Sequence, residues 1–108
     1  MSDWQRVASA ADVRDGEGLP VILGDTPIAL YRVDGRIVAI DDVCTHEFAV
    51  LSQGFVTDGI IECPLHAAQF EIASGRCLSG PATQDLRAYE VRLEGDDVYV
   101  ALTSGARS

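Results

Sequence analysis

The chain is poor in histidine and in cysteine, with two and three respectively among 108 residues. An odd cysteine count points away from a disulfide framework and toward metal or catalysis if the compartment is reducing. Positive charge is scarce as well: 8 Lys and Arg stand against 17 Asp and Glu, for a net charge of −9. Such a surface repels nucleic acid and anionic membranes, so neither is expected as a partner. It would steer the protein toward basic patches on partner proteins, or simply keep it soluble. The opening "MSDWQRVASAADV" has no basic start followed by an apolar run, and no stretch reaches the length of a membrane span. A cytoplasmic protein is the expectation. No glycine-rich dinucleotide motif is present, which argues against a self-contained nicotinamide or flavin enzyme. Internal repeats and low-complexity stretches are absent too. What remains is 47% hydrophobic and 23% charged, enough for one modest core and too short for a catalytic domain plus a partner domain.

Period-two patterning dominates what is there. "PIALYRV" (27–33) and "RIVAI" (36–40) flank Asp34-Gly35 and predict a tight hairpin. "RAYEVRLE" (87–94) alternates, with Tyr89, Val91 and Leu93 on one face, and a turn at 95–97 leads into "VYVAL" (98–102). Shorter strand candidates are "LPVIL" (19–23), "FVTDGIIEC" (55–63) and "AAQFEIA" (67–73). One helical turn is expected near Ser9–Val13, with Ser9 as its cap. Trp4 and Phe70 read as core, and Gly35, Gly59 and Gly75 as turn residues needing positive φ. The fold class is therefore all-β, a small antiparallel barrel or sandwich, forming one domain over 1–108 with a flexible tail at 103–108.

Both histidines follow a cysteine. The pairs are Cys44-x-His46 and Cys63-x-x-His66, with sixteen residues between His46 and Cys63. Each pair falls at a strand end, so each can form the tip of a loop, and two tips side by side can hold a metal centre. Zinc takes two cysteines and two histidines in structural sites. A Rieske [2Fe–2S] cluster puts two cysteines on one iron and two histidines on the other. Zinc-finger sites usually pair like with like, whereas each loop here mixes one Cys with one His, an order that a cluster spanning both loops allows. Cys77 stands apart from the set and reads as a buried or half-buried thiol.

With these residues the chain resembles the Rieske iron–sulfur proteins, specifically the small ferredoxins of aromatic-ring-hydroxylating dioxygenase systems. The resemblance is carried by "CTH" (44–46), "LSQGFVTDG" (51–59), "CPLH" (63–66), Phe70, Ser74-Gly75 and "GPA" (80–82). It implies a cluster-binding part at about 43–82, built on two loops. Cys44 and Cys63 would bind the inner iron, and His46 and His66 the outer one. Pro81 would shield the cluster. Phe48 and Leu65 would form an apolar collar for docking or simply pack over the cluster, and Asp41, Asp42, Glu47 and Asp58 would orient a basic partner or form a solvated face.

The respiratory-complex branch of that family carries a disulfide cysteine in each loop; here those places read Ala49 and Leu65. Its serine and tyrosine donors to cluster sulfur read Ala68 and Phe70, and losing them lowers the reduction potential. A potential near the low end of the roughly −150 to +300 mV Rieske range is expected. Ala67 stands where relatives frequently have glycine. The implied role is a monomeric one-electron carrier, not an enzyme, between an NAD(P)H-dependent flavoprotein reductase and a terminal oxygenase acting on aromatic compounds. Two other readings are the Rieske-like small subunit of an NADH-dependent nitrite reductase and a zinc-stabilised interaction module.

Overall fold

Asp34 and Gly35 take φ of +52° and +80°, the left-handed pair that a two-residue hairpin turn needs. Asp58 and Gly59 repeat the device at +51° and +77°. The segment 55–63, which reads as one strand candidate, is therefore a second hairpin. The computed structural model describes residues 4–43, 50–64, 68–79 and 84–101.

In chain order the strands begin with β1 (Trp4–Ser9), β2 (Leu19–Leu23), β3 (Thr26–Val33) and β4 (Arg36–Asp41). Next come β5 (Phe55–Thr57), β6 (Ile60–Glu62), β7 (Gln69–Glu71) and β8 (Cys77–Ser79). The last are β9 (Ala88–Tyr89), β10 (Val91–Glu94) and β11 (Asp97–Ala101). Single 3₁₀ turns cover Ala10–Asp12 and Leu51–Gln53. Among the described residues these strands pair antiparallel, in three sheets ordered β1-β11-β10, β2-β3-β4-β9 and β5-β6-β7-β8.

The sheet containing β3 and β4 is the middle layer. Successive strand side chains point to opposite faces. Ile28 and Leu30 accordingly enter one core with Val98 and Val100, while Ala29 and Tyr31 enter the other with Ile61, Phe70 and Ile72. Burial on both faces explains why "IALY" is a continuous apolar run. Among the described residues no helix is long and apolar enough to cross a membrane.

Four local expectations need correction. The segment 87–94 is not one strand: the chain changes sheet at Glu90, since β9 pairs with β4 and β10 pairs with β11. Leu93 consequently lies on an edge strand and is 51% exposed. Trp4 is half-buried rather than core, with the Arg92 guanidinium 5.2 Å from its ring centroid. The turn after Ser9 forms, but the Ser9 hydroxyl accepts a hydrogen bond from Arg6 Nη2 at 3.0 Å instead of capping it. Phe70 is fully buried, and Gly35, Gly59 and Gly75 all have positive φ. The tail at 103–108 lies outside the described residues.

Gly75 combines two demands. Its φ is +79°, and a Cβ there would sit 2.4 Å from the Leu86 carbonyl oxygen. Gly16 has φ +81° but open space around it. Gly16→Ala should therefore cost about 1 kcal/mol for conformation alone. Gly75→Ala should cost about 3 kcal/mol, because backbone must also move. Urea denaturation of the two variants checks this; equal losses would contradict it.

Candidate metal centre

A row of four residues crosses the sheet β5–β8. Phe55 pairs with Glu62, Glu62 with Gln69, and Gln69 with Ser79. Phe55 opens β5, Glu62 closes β6, Gln69 opens β7 and Ser79 closes β8. Three connections therefore meet the sheet at this one end: the chain entering β5, the link from β6 to β7, and the chain leaving β8. The Asp58-Gly59 turn and the 72–76 turn occupy the opposite end, where Ile72 N donates to Gly59 O at 2.9 Å. Residues 44–49, 65–67 and 80–83 belong to the three connections and lie outside the described residues. Cys44, His46, Phe48, Leu65, His66 and Pro81 are among them, as is Glu47. Of the four candidate ligands, Cys63 is described.

Each connection is fastened at its base. Val43 bridges Val50 across the first. Asp42, 3% exposed, accepts from Ser52 N at 2.7 Å and from Ser52 Oγ at 2.9 Å, and its carbonyl accepts from Leu51 N at 2.8 Å. Burial pushes the Asp42 carboxyl pKa up, and the Ser52 hydrogen bonds pull it back part of the way. Gly54 then lies against the end of β6, where a Cβ would come 2.1 Å from Glu62 O. Its φ of −86° is ordinary, so the demand is for space and not for conformation.

The second connection is closed by Cys63 N donating to Ala68 O at 2.8 Å. Cys63 is 1% exposed and shares a core with Leu51, Ile61, Ala68 and Phe70. The third is framed by Ser79 Oγ donating to Gln69 Oε1 at 3.0 Å and by Cys77 N donating to Asp85 Oδ1 at 2.8 Å. Leu86 N donates to Gly75 O at 2.7 Å, and Arg87 reaches Asp41.

The acidic residues are not one surface. Asp42 is buried against Ser52, and Asp41 is engaged by Arg87 and Tyr89. Asp58 is exposed, but in the turn at the far end of the sheet. Asp41, Asp42 and Asp58 therefore do not form one exposed acidic patch, and Glu47 lies outside the described residues. Burial of an acid at a strand end depends on a partner ten residues later, which alternation alone does not reveal. Cys77 is half-buried and packs against the core around Phe70.

Among the described residues no three His, Cys, Asp or Glu side chains converge on a metal position. The donor set nevertheless fits a mixed thiolate and imidazole centre. Cys63 is sealed from water within an apolar core, where an uncompensated thiolate would be costly and a soft metal centre would accept it. The bases of the two Cys/His connections touch through Gly54 and Glu62. Residues 3–90 match the family described as the Rieske [2Fe-2S] domain. The chain belongs to that family.

Several of its relatives are small proteins of about the same extent. The ferredoxin component of a naphthalene 1,2-dioxygenase system from Pseudomonas aeruginosa is 38% identical over 100 residues, covering 93% of this chain and 96% of that protein. A ferredoxin from Sphingomonas yanoikuyae B1 superposes with a TM-score of 0.87 at 34% identity, covering 92% of this Rieske chain and 98% of its own. The ferredoxin in a complex of reduced oxygenase and oxidised ferredoxin of carbazole 1,9a-dioxygenase gives a TM-score of 0.84 at 38% identity. There the match covers 91% of this chain and 92% of that one. The cofactor of this Rieske domain is accordingly a [2Fe–2S] cluster.

Asp42 and Ser52 set a stability test. Ser52→Ala removes one side-chain hydrogen bond and should cost about 1 kcal/mol. Asp42→Ala removes two and leaves the Ser52 N–H without that acceptor, so about 3 kcal/mol is expected. Anaerobic urea titrations of the holoprotein distinguish the two; a neutral Asp42→Ala would refute the anchoring role.

Proposed function

We propose that this chain is a one-electron carrier. It takes electrons from an NAD(P)H-dependent flavoprotein reductase and delivers them to a terminal oxygenase that hydroxylates aromatic compounds. Cys44 and Cys63 would hold the [2Fe–2S] cluster through two thiolates, and His46 and His66 through two imidazoles. When bound, the cluster supplies one reversible electron-accepting site. The carrier is one domain with its metal-binding part at about 43–82, acting as a cytoplasmic monomer. Phe48, Leu65 and Pro81 cover the cluster or meet the partner.

The observation that carries this reading is the row Phe55–Glu62–Gln69–Ser79, which supports both Cys/His connections and the Pro81 connection lying at one end. The relatives' names support a carrier, since they are ferredoxin components of dioxygenase systems. The naphthalene dioxygenase ferredoxin is 38% identical to this chain, against 27% for a "putative NADH-dependent nitrite reductase small subunit" covered to the same 96%, which favours a free-standing carrier over a fixed nitrite reductase subunit. Neither Ala68 nor Phe70 offers a hydroxyl, and both are 0% exposed, so that part of the wall donates no side-chain hydrogen bond to sulfur. That supports a low potential, as a carrier fed by a reduced nicotinamide requires.

EPR before and after dithionite, with iron and sulfide analysis on the same sample, tests the reading. The expected protein is red-brown, silent as isolated, and gains a rhombic signal of low average g on reduction. A colourless zinc protein that stays silent would replace it with a structural module. His66→Ala should abolish the signal, while Cys77→Ser should retain it with unchanged iron content. Ala68→Ser introduces a hydroxyl donor and should raise the midpoint potential measured by voltammetry; an unchanged potential would place Ala68 away from the cluster sulfurs.

A further inference from the structure

Asp41 ends β4, three residues before Cys44, and is bonded through both its backbone and its carboxylate. Its N–H donates to Arg87 O at 3.0 Å. Oδ2 accepts from Arg87 N at 3.0 Å and from Arg87 Nε at 3.3 Å, and Oδ1 accepts from Tyr89 OH at 2.7 Å. The Arg87 guanidinium lies 5.8 Å from the Tyr89 ring centroid, closing a three-residue group. The carboxylate is largely shielded, at 16% exposure, whereas Arg87 is 56% exposed.

This group sits where regular pairing is thin. The β4–β9 ladder contains two residue pairs, Ala39 with Tyr89 and Ile40 with Ala88. Beyond them the Asp41 carboxylate takes the Arg87 N–H that a longer ladder would have used. Arg87 follows residues 84–86, which are bonded on their other side to β8 through Asp85 and to Gly75 through Leu86. The short segment 84–87 thus joins the middle sheet to the sheet β5–β8, and Asp41 is its fastening on the middle-sheet side.

We propose that Asp41, with Arg87 and Tyr89, is a clasp that sets the reduction potential by fixing the bases of the Cys44 and Pro81 connections together. Asp41 and Tyr89 are positioning residues: they act through the chain segments they hold. The proposal rests on the metal-centre reading given above. Loosening the clasp admits water near the centre. The reduced centre carries one more negative charge than the oxidised one, so water favours it and the potential rises.

The experiment uses the iron-loaded protein, with Tyr89→Phe, Asp41→Asn and Gly16→Ala. Tyr89→Phe removes one hydrogen bond and changes no charge. Gly16→Ala destabilises the fold near the Asp58-Gly59 turn, at the other end of the molecule's metal-binding sheet. Voltammetry gives the potential, hydrogen–deuterium exchange reads residues 84–87, and iron and sulfide are measured on every sample. The expected result is a potential raised by Tyr89→Phe, raised further by Asp41→Asn, and unmoved by Gly16→Ala. Exchange at 84–87 should quicken about tenfold in Tyr89→Phe, the equivalent of one net hydrogen bond. A shift in Asp41→Asn alone would reduce the effect to charge and overturn the clasp. So would an equal shift in Gly16→Ala, which would make it general destabilisation. Wild-type protein lacking iron and sulfide would overturn the metal-centre reading instead, and the exchange rates would still decide whether the clasp holds 84–87.

Discussion

Ile61 and Phe70 stand directly opposite one another on β6 and β7, and both are sealed from water. Sliding either strand by one residue would turn its buried side chain to solvent and bring Ile60 or Gln69 inward. Burying a large apolar side chain stabilises by about 1.5–3 kcal/mol, so slippage would forfeit a sizeable part of a small domain's stability. The register is therefore fixed by burial. Once it is fixed, Glu62 and Gln69 must lie side by side, and the chain between them must return at one end of the sheet. Everything argued for the metal centre follows from that constraint.

The middle sheet transmits this order to the rest of the chain. Because β3 and β4 are buried on both faces, the two cores share one wall. Tyr31 fills the side toward Cys63, and Leu30, one residue earlier, fills the side toward Val98. Gly18 is needed where the Tyr31 ring comes within 2.8 Å of the position a Cβ would take. The Tyr31 hydroxyl is buried without a hydrogen-bond partner among the described residues, and burial raises its pKa, so the phenol stays protonated. Polar groups left in this way are rare in folded proteins, and here the ring's bulk in the shared core accompanies the unpaired oxygen.

Much of this was legible in the residues. Asp34-Gly35 and Asp58-Gly59 announce hairpins because few residues other than glycine, aspartate and asparagine accept left-handed φ. The pairing of each histidine with a cysteine carried the cofactor class, and the family match agrees with it. Less legible were features that depend on partners far along the chain. Asp41 and Asp42 look like surface acids until Arg87, Tyr89 and Ser52 are placed beside them. Leu93 looks buried by alternation, but its strand lies at a sheet edge. Gly54 has an ordinary φ, so only the Glu62 carbonyl shows why a side chain is barred there. Alternation reports which way a residue points; it is silent on what lies in that direction.

The pairing of β4 with β9 brings Asp41 and Arg87 together although 45 residues separate them in the sequence. Residues 42–86 thus leave the middle sheet and return to it at one doorway. In topological terms the metal-binding sheet is an excursion grafted into what would otherwise be a plain hairpin. A host that offered two adjacent antiparallel strand ends, spaced like Asp41 and Arg87, would meet the geometric requirement for receiving the same excursion.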